Sequence, residues 1–290
     1  MNAATINSKL SAYQKPSVWH LWVSQIAGIL RLEIKKNFLS KRALPMYLLA
    51  AIPVVIMMMF ALFDRGMQRG VRTNFSQALI IFSNLHEGLI LRTVIFFGCA
   101  WIFMNLFRGE IVDKSLHYYF LSAVKREVLV LGKYLSGLIA SCSLFLLSTA
   151  GALFFLYLPR GFQANMDYIF GGPGLGQIAD YLGITILACV GYGALFMVIG
   201  LFFRNPIIPA LLVYGWEWVN FLLPPVLKKI SIVHYLHSLV PIPVNEGPLA
   251  IIGEPTPAWL AVSGMLIVTS VVLVLASIRI KRMEINYGGE

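Results

Sequence analysis

The chain has 290 residues, of which 58% are hydrophobic and only 12% charged, and its mean hydropathy is +0.77. A soluble domain carries about a quarter charged residues, so this composition excludes a water-soluble fold and makes the bilayer the solvent for most of the chain. The formal net charge of +10 fits a basic rim facing anionic headgroups and is not read as a nucleic-acid surface.

Residues 1–42 form a polar lead. Within it Trp22, Ile26, Leu30 and Ile34 recur every four residues while Ser24, Arg31 and Lys35 point elsewhere, which predicts an amphipathic helix. Trp19 and Trp22, with Lys35, Lys36, Lys41 and Arg42, suit the headgroup layer, where indole rings and ammonium groups are both solvated, so the helix is expected to lie in the membrane interface. The first apolar block begins only at Ala43, and no cleavable signal is expected.

Apolar blocks then follow at 43–63, 88–107, 129–157, 181–203, 207–227 and 259–278, each near the ~20 residues a helix needs to cross about 30 Å of hydrocarbon. They lack the in-out alternation of a membrane barrel. The fold class expected is an all-α polytopic membrane protein with six transmembrane helices, its transmembrane domain spanning 43–280 and its tail 281–290. Six spans put both termini on one side. Most of the 23 lysines and arginines fall in the lead, the 108–128 connection and the tail, so both termini are expected in the cytoplasm of a prokaryotic inner membrane. Cys99, Cys142 and Cys189, like Met57, Met58 and Met59, fall within spans and read as packing residues.

Between the second and third spans, 108–128 is charged and too short for a domain. Leu116, Phe120 and Leu121 give it an apolar face at helical spacing, while Lys114, Lys125 and Arg126 stay in water, so a short cytoplasmic helix that seats on a partner is expected. The outer connections are 64–87, 158–180 and 228–258. Gly171, Gly172, Gly174 and Gly176 predict a flexible turn. Pro224 and Pro225, then Pro255 and Pro257, bracket an apolar stretch at 230–240, which predicts short helices dipping into the outer leaflet. His234 and His237 lie three apart there, weak grounds for a metal site without a third ligand.

Glu217, beside Trp216 and Trp218, lies midway along the fifth block, where an acid costs roughly 2.5–3.5 kcal/mol by insertion scales. Two readings of it stand: a contact in a substrate pathway shared with Trp216, or a hydrogen-bonded structural carboxyl. Arg92 is the other charge within a block and is expected to snorkel to the outer surface as an anchor. No nucleophile, base and acid form a catalytic motif, and no metal or cofactor site is expected.

The run from Arg108 to Lys133, RGEIVDKSLHYYFLSAVKREVLVLGK, resembles the permease subunits of type-2 ABC transporters, the ABC-2 exporter family. Glu110, Ser115, Leu116, Leu121, Arg126, Gly132 and Lys133 fill the places of that family's acidic, small polar, leucine, basic and Gly-Lys positions, and Val124 stands where proline is usual. The resemblance implies a pair of permeases, identical or homologous, with a cytoplasmic ABC ATPase subunit docked on each coupling segment. It implies ATPase contacts at Glu110, Asp113, Ser115, Leu116, Leu121, Lys125 and Arg126. The chain has no GxxxxGK[ST] phosphate loop, so ATP is expected in the partner. The rival reading is a membrane anchor or assembly factor that binds a partner through the same segment and moves no solute. A third, an ATP-independent carrier, needs paired charges within the membrane, which the blocks above do not supply.

Overall fold

The structure, a computed structural model, describes residues 18–39, 43–66, 74–112, 121, 125–244 and 256–281. Among these the elements are all helical. In chain order they are α1 (Val18–Leu39), α2 (Leu44–Gly66), and a composite helix of α3 (Phe75–Leu85), a π-helix (His86–Ile95) and α4 (Phe96–Val112). Next come α5 (Arg126–Tyr157), α6 (Phe162–Phe170), α7 (Gly174–Phe202), α8 (Ile207–Val219), α9 (Pro225–Lys228), α10 (Ile232–His237) and α11 (Ala258–Lys281).

Five helices are long and apolar enough to cross a membrane: Leu44–Gly66, Phe75–Glu110, Arg126–Arg160, Gly174–Phe202 and Ala258–Lys281. The chain is thus a multi-pass membrane protein. The block expected at 207–227 forms a shorter apolar helix, Ile207–Leu222. It covers only about 24 Å at about 1.5 Å per residue, and Pro224 and Pro225 then turn the chain into α9. The block at 88–107 is longer than expected. Helix begins at Phe75 and runs through much of the expected outer connection 64–87, because the charges at its edge neutralise one another inside the fold.

The composite helix and α7 form the centre, each with 67% of its apolar window buried, against 28% for α2 and 22% for α11. Small residues set their approach. A Cβ at Gly200 would lie 2.8 Å from the Met104 backbone, and one at Gly193 would lie 2.5 Å from the Phe103 ring. Where no water drives helices together, such close packing and interhelical hydrogen bonds must do so. Ser148 Oγ donates to the Ala50 carbonyl across α5 and α2, and the Thr149 and Thr185 hydroxyls meet at 3.3 Å. The helix α1 packs along α5, with Ile29 seated over Gly132. Trp19, Leu21, Val23 and Leu32 are left outward.

Candidate functional site

Two polar clusters interrupt the apolar interior, one at the C-terminal end of the composite helix and one at its central π-helix. At the C-terminal end the Lys133 ammonium, fully buried, donates to Glu33 Oε1 of α1 at 2.6 Å, to Glu110 Oε1 of α4 at 2.7 Å and to the Leu106 carbonyl at 2.9 Å. It also lies 5.4 Å from the Phe107 ring centre. A lysine has three donors, and three oxygens here take them. This junction ties α1, α4 and α5 at the point where the chain leaves for the 108–128 connection and where it returns.

Of the residues expected to contact an ATPase, four are described. Glu110 is buried and faces inward to Lys133. Leu121 is 81% exposed. Lys125 is exposed, with its ammonium 5.2 Å over the Trp22 ring of α1. Arg126 Nη1 donates to the carbonyls of Ile280 and Lys281 at 3.2 and 2.8 Å, where it serves the unsatisfied end of α11. Asp113, Ser115 and Leu116 lie outside the described residues. Glu33 is the member that sequence reasoning missed. It lies seven and four residues after Ile26 and Ile29, on the half of α1 turned to α5, and a lone acid there was a usable signal.

The second cluster sits on the π-helix. Arg92 donates to Glu87 Oε1 at 2.8 Å, and His237 Nδ1 of α10 lies 2.7 Å from Glu87 Oε2. In an α-helix residues i and i+5 lie about 140° apart round the axis, whereas the wider π turn brings them onto one side. The same spacing recurs in the bond from Thr93 Oγ1 to the Gly88 carbonyl. Arg92 and Glu87 are both buried. This corrects the expectation that Arg92 snorkels: its charge is met inside the protein, which removes the reason to reach for water. It also corrects the view that the spans carry no paired charges and only one carboxylate, since Glu87 is a second.

Glu217 closes the cluster. Its carboxylate accepts from Ser231 Oγ at 2.5 Å and from the backbone amides of Ile232 and Val233 at 3.0 Å each, so it caps the first turn of α10 from a distant helix, where an anion is favoured. Arg92 Nη1 reaches the Glu217 carbonyl at 3.4 Å. The short helix α10 is therefore held by a carboxylate at each end, with Glu217 at its first amides and Glu87 at His237, and Arg92 touches both holders. Trp216 is half-buried, and its indole Nε1 has no hydrogen-bond partner; neither has the buried Tyr192 hydroxyl. His234 turns away to Thr256 at 3.2 Å, so the two histidines do not converge. No group of three or more His, Cys, Asp or Glu among the described residues is placed to hold a metal ion.

Neither a family model nor a curated protein matches this chain. The geometry of the two clusters therefore carries the functional argument together with the motif at 108–133.

Proposed function

We propose that the chain is the membrane-spanning permease subunit of an ABC-2 type transporter, acting as an exporter. It works in a pair with a second permease and is driven by separate ATP-binding subunits in the cytoplasm. In this reading Ile207–Leu222 and the segment after it complete a sixth crossing, and α1, the 108–128 connection and both termini face the cytoplasm. The observation that carries the reading is the Lys133 junction. A partner that pushes on 108–128 acts on a segment whose two ends, α4 and α5, are joined to each other and to α1 through one buried ammonium. Such a joint passes force into α4 and α5 at once instead of bending a loop. Glu217 and Trp216 lie in the proposed substrate region. The substrate class is not encoded in a motif, because permeases of one layout differ in pocket shape.

The test is affinity purification from native membrane in mild detergent, with the paired reversal Lys125→Glu and Arg126→Glu as control. Recovery of a P-loop ATPase that the reversal abolishes is the expected result. A preparation that keeps comparable complexes intact yet yields no ATPase would favour the anchor or assembly factor. A second reading, an ATP-independent carrier, is favoured by the Glu87, Arg92 and His237 constellation. Buried ionisable groups at depth are common in ion-coupled carriers. Transport into vesicles containing the purified chain alone, driven by a pH gradient, distinguishes it.

A further inference from the structure

The charged ends of α5 and α11 frame a groove that the transport reading does not use. It measures about 490 Å³ and is walled by Val130, Leu131, Leu273, Val274 and Ile278, within the ~300–1,000 Å³ range of small-molecule sites. Leu131, Val274 and Ile278 are exposed at its mouth while Val130 is buried at its floor, so it opens sideways, toward lipid. From Leu273 to Lys281 it runs about 12 Å along α11 at about 1.5 Å per residue, parallel to the acyl chains of one leaflet.

One end of the groove is apolar and the other is charged. Lys281 pairs there with Glu127, each side chain about half exposed (54% and 47%). The guanidinium of Arg126 is held on the carbonyls of Ile280 and Lys281. Lys281 is thus the cation of the groove lining beside Glu127, and Arg126 adds a second positive charge at the same end of α11. An exposed ion pair such as Lys281 with Glu127 has little net worth, so Lys281 can turn to an incoming anion at small cost.

We infer that this groove is a binding site for an anionic phospholipid, with one acyl chain along Leu131, Val274 and Ile278 and its phosphate against Lys281 and Arg126. Charge and shape select the same occupant. A wholly apolar molecule leaves the cations unused, and a soluble anion leaves the groove open to lipid. Basic recesses between membrane helices at a leaflet surface are suited to anionic headgroups. The inference does not rest on the transporter reading.

The test is native mass spectrometry of the purified full chain in detergent, offered equal amounts of dioleoylphosphatidylglycerol and dioleoylphosphatidylcholine. One phosphatidylglycerol should be retained with a preference of about five-fold per engaged cation, the factor that one cation near the surface contributes. Lys281→Gln should reduce that preference by about the same factor. Val274→Trp, which fills the groove, should abolish retention, while Val268→Trp, an equally bulky change at an exposed residue of α11 outside the groove lining, should leave it intact. If Val274→Trp does not fold, Ile278→Phe at the mouth replaces it. Equal retention of the two lipids by the parent chain, or unchanged phosphatidylglycerol retention in both groove variants, would overturn the proposal.

Discussion

Replacing Lys133 with methionine keeps an unbranched side chain, one atom shorter, and removes its charge. The side chains of Glu33 and Glu110 are 3% and 2% exposed, so the substitution leaves two carboxylates buried around a site that has lost its cation. Removing one partner of a single buried ion pair costs about 3–5 kcal/mol, and two acids share this lysine, so the upper half of that range is expected. At 1.4 kcal/mol per tenfold, a loss of about 4 kcal/mol lowers the folded-to-unfolded ratio roughly 700-fold. The companion triple variant, Lys133→Met with Glu33→Gln and Glu110→Gln, removes the stranded charges and should recover most of the loss, because a charge-free site of similar volume is often neutral. The assay is thermal unfolding in detergent, read by a thiol-reactive dye. Cys99 and Cys189 are buried and Cys142 is partly so, and they become reactive as the bundle opens. A single variant as stable as the parent, or a triple variant no better than the single one, would refute the account of Lys133 as the shared counter-ion.

Arg92→Met should destabilise the packing around the π-helix by about 3–5 kcal/mol, and Arg92→Met with Glu87→Gln by clearly less; the same unfolding assay applied as a double-mutant cycle checks the coupling. Deletion of Gly88 takes one residue from the π-helix and leaves Glu87 and Arg92 four apart, the spacing that pairs them on one face of an α-helix; a coupling between Arg92→Met and Glu87→Gln that persists in that background is the expected readout. Glu217→Ala strips the cap from α10 and leaves two amides and the Ser231 hydroxyl without their acceptor, a cost of about 1–3 kcal/mol. It should raise maleimide labelling of a cysteine placed at Ser238 without changing labelling at the 121–125 segment. Gly200→Val should force α7 off the Met104 backbone and cost about 1–3 kcal/mol, seen as a lower yield of monodisperse protein.

Length and hydropathy locate α2, α5 and α11 closely, because each is apolar throughout and ends at basic or polar residues. The composite helix is a different case. Glu87 and Arg92 read as charges that end a span, and what allows the helix to continue through them is a fivefold spacing that pairs them only after the backbone widens to a π turn. No pattern of hydrophobicity announces that. Lys133 is visible in the sequence as the Gly-Lys that opens a span, but its partners are 100 and 23 residues away, and a charge network assembled over such distances has no local signature. Glu217 stands out by depth and isolation. Its partners, Ser231 and the amides after it, come from a segment whose helix is only six residues long, below what periodicity detects. The expectation of short helices in that segment holds for α9 and α10 as described, while residues 245–255 fall outside the description. The short reach of Ile207–Leu222 followed from prolines that the sequence displays, yet hydropathy alone carried the block past them.

The bond from Arg126 to the end of α11 also dictates an order of events during synthesis. The carbonyls it serves belong to residues 154 and 155 positions later in the chain. At typical elongation rates the ribosome needs roughly 8 to 30 s to add that length. During that interval α1, α4 and α5 can already join around Lys133, whereas Arg126 and the wall of α5 that meets α11 await α11. A nascent chain arrested before residue 258 would present that wall to the translocation machinery or to a membrane chaperone. Packing of α11 covers that wall of α5.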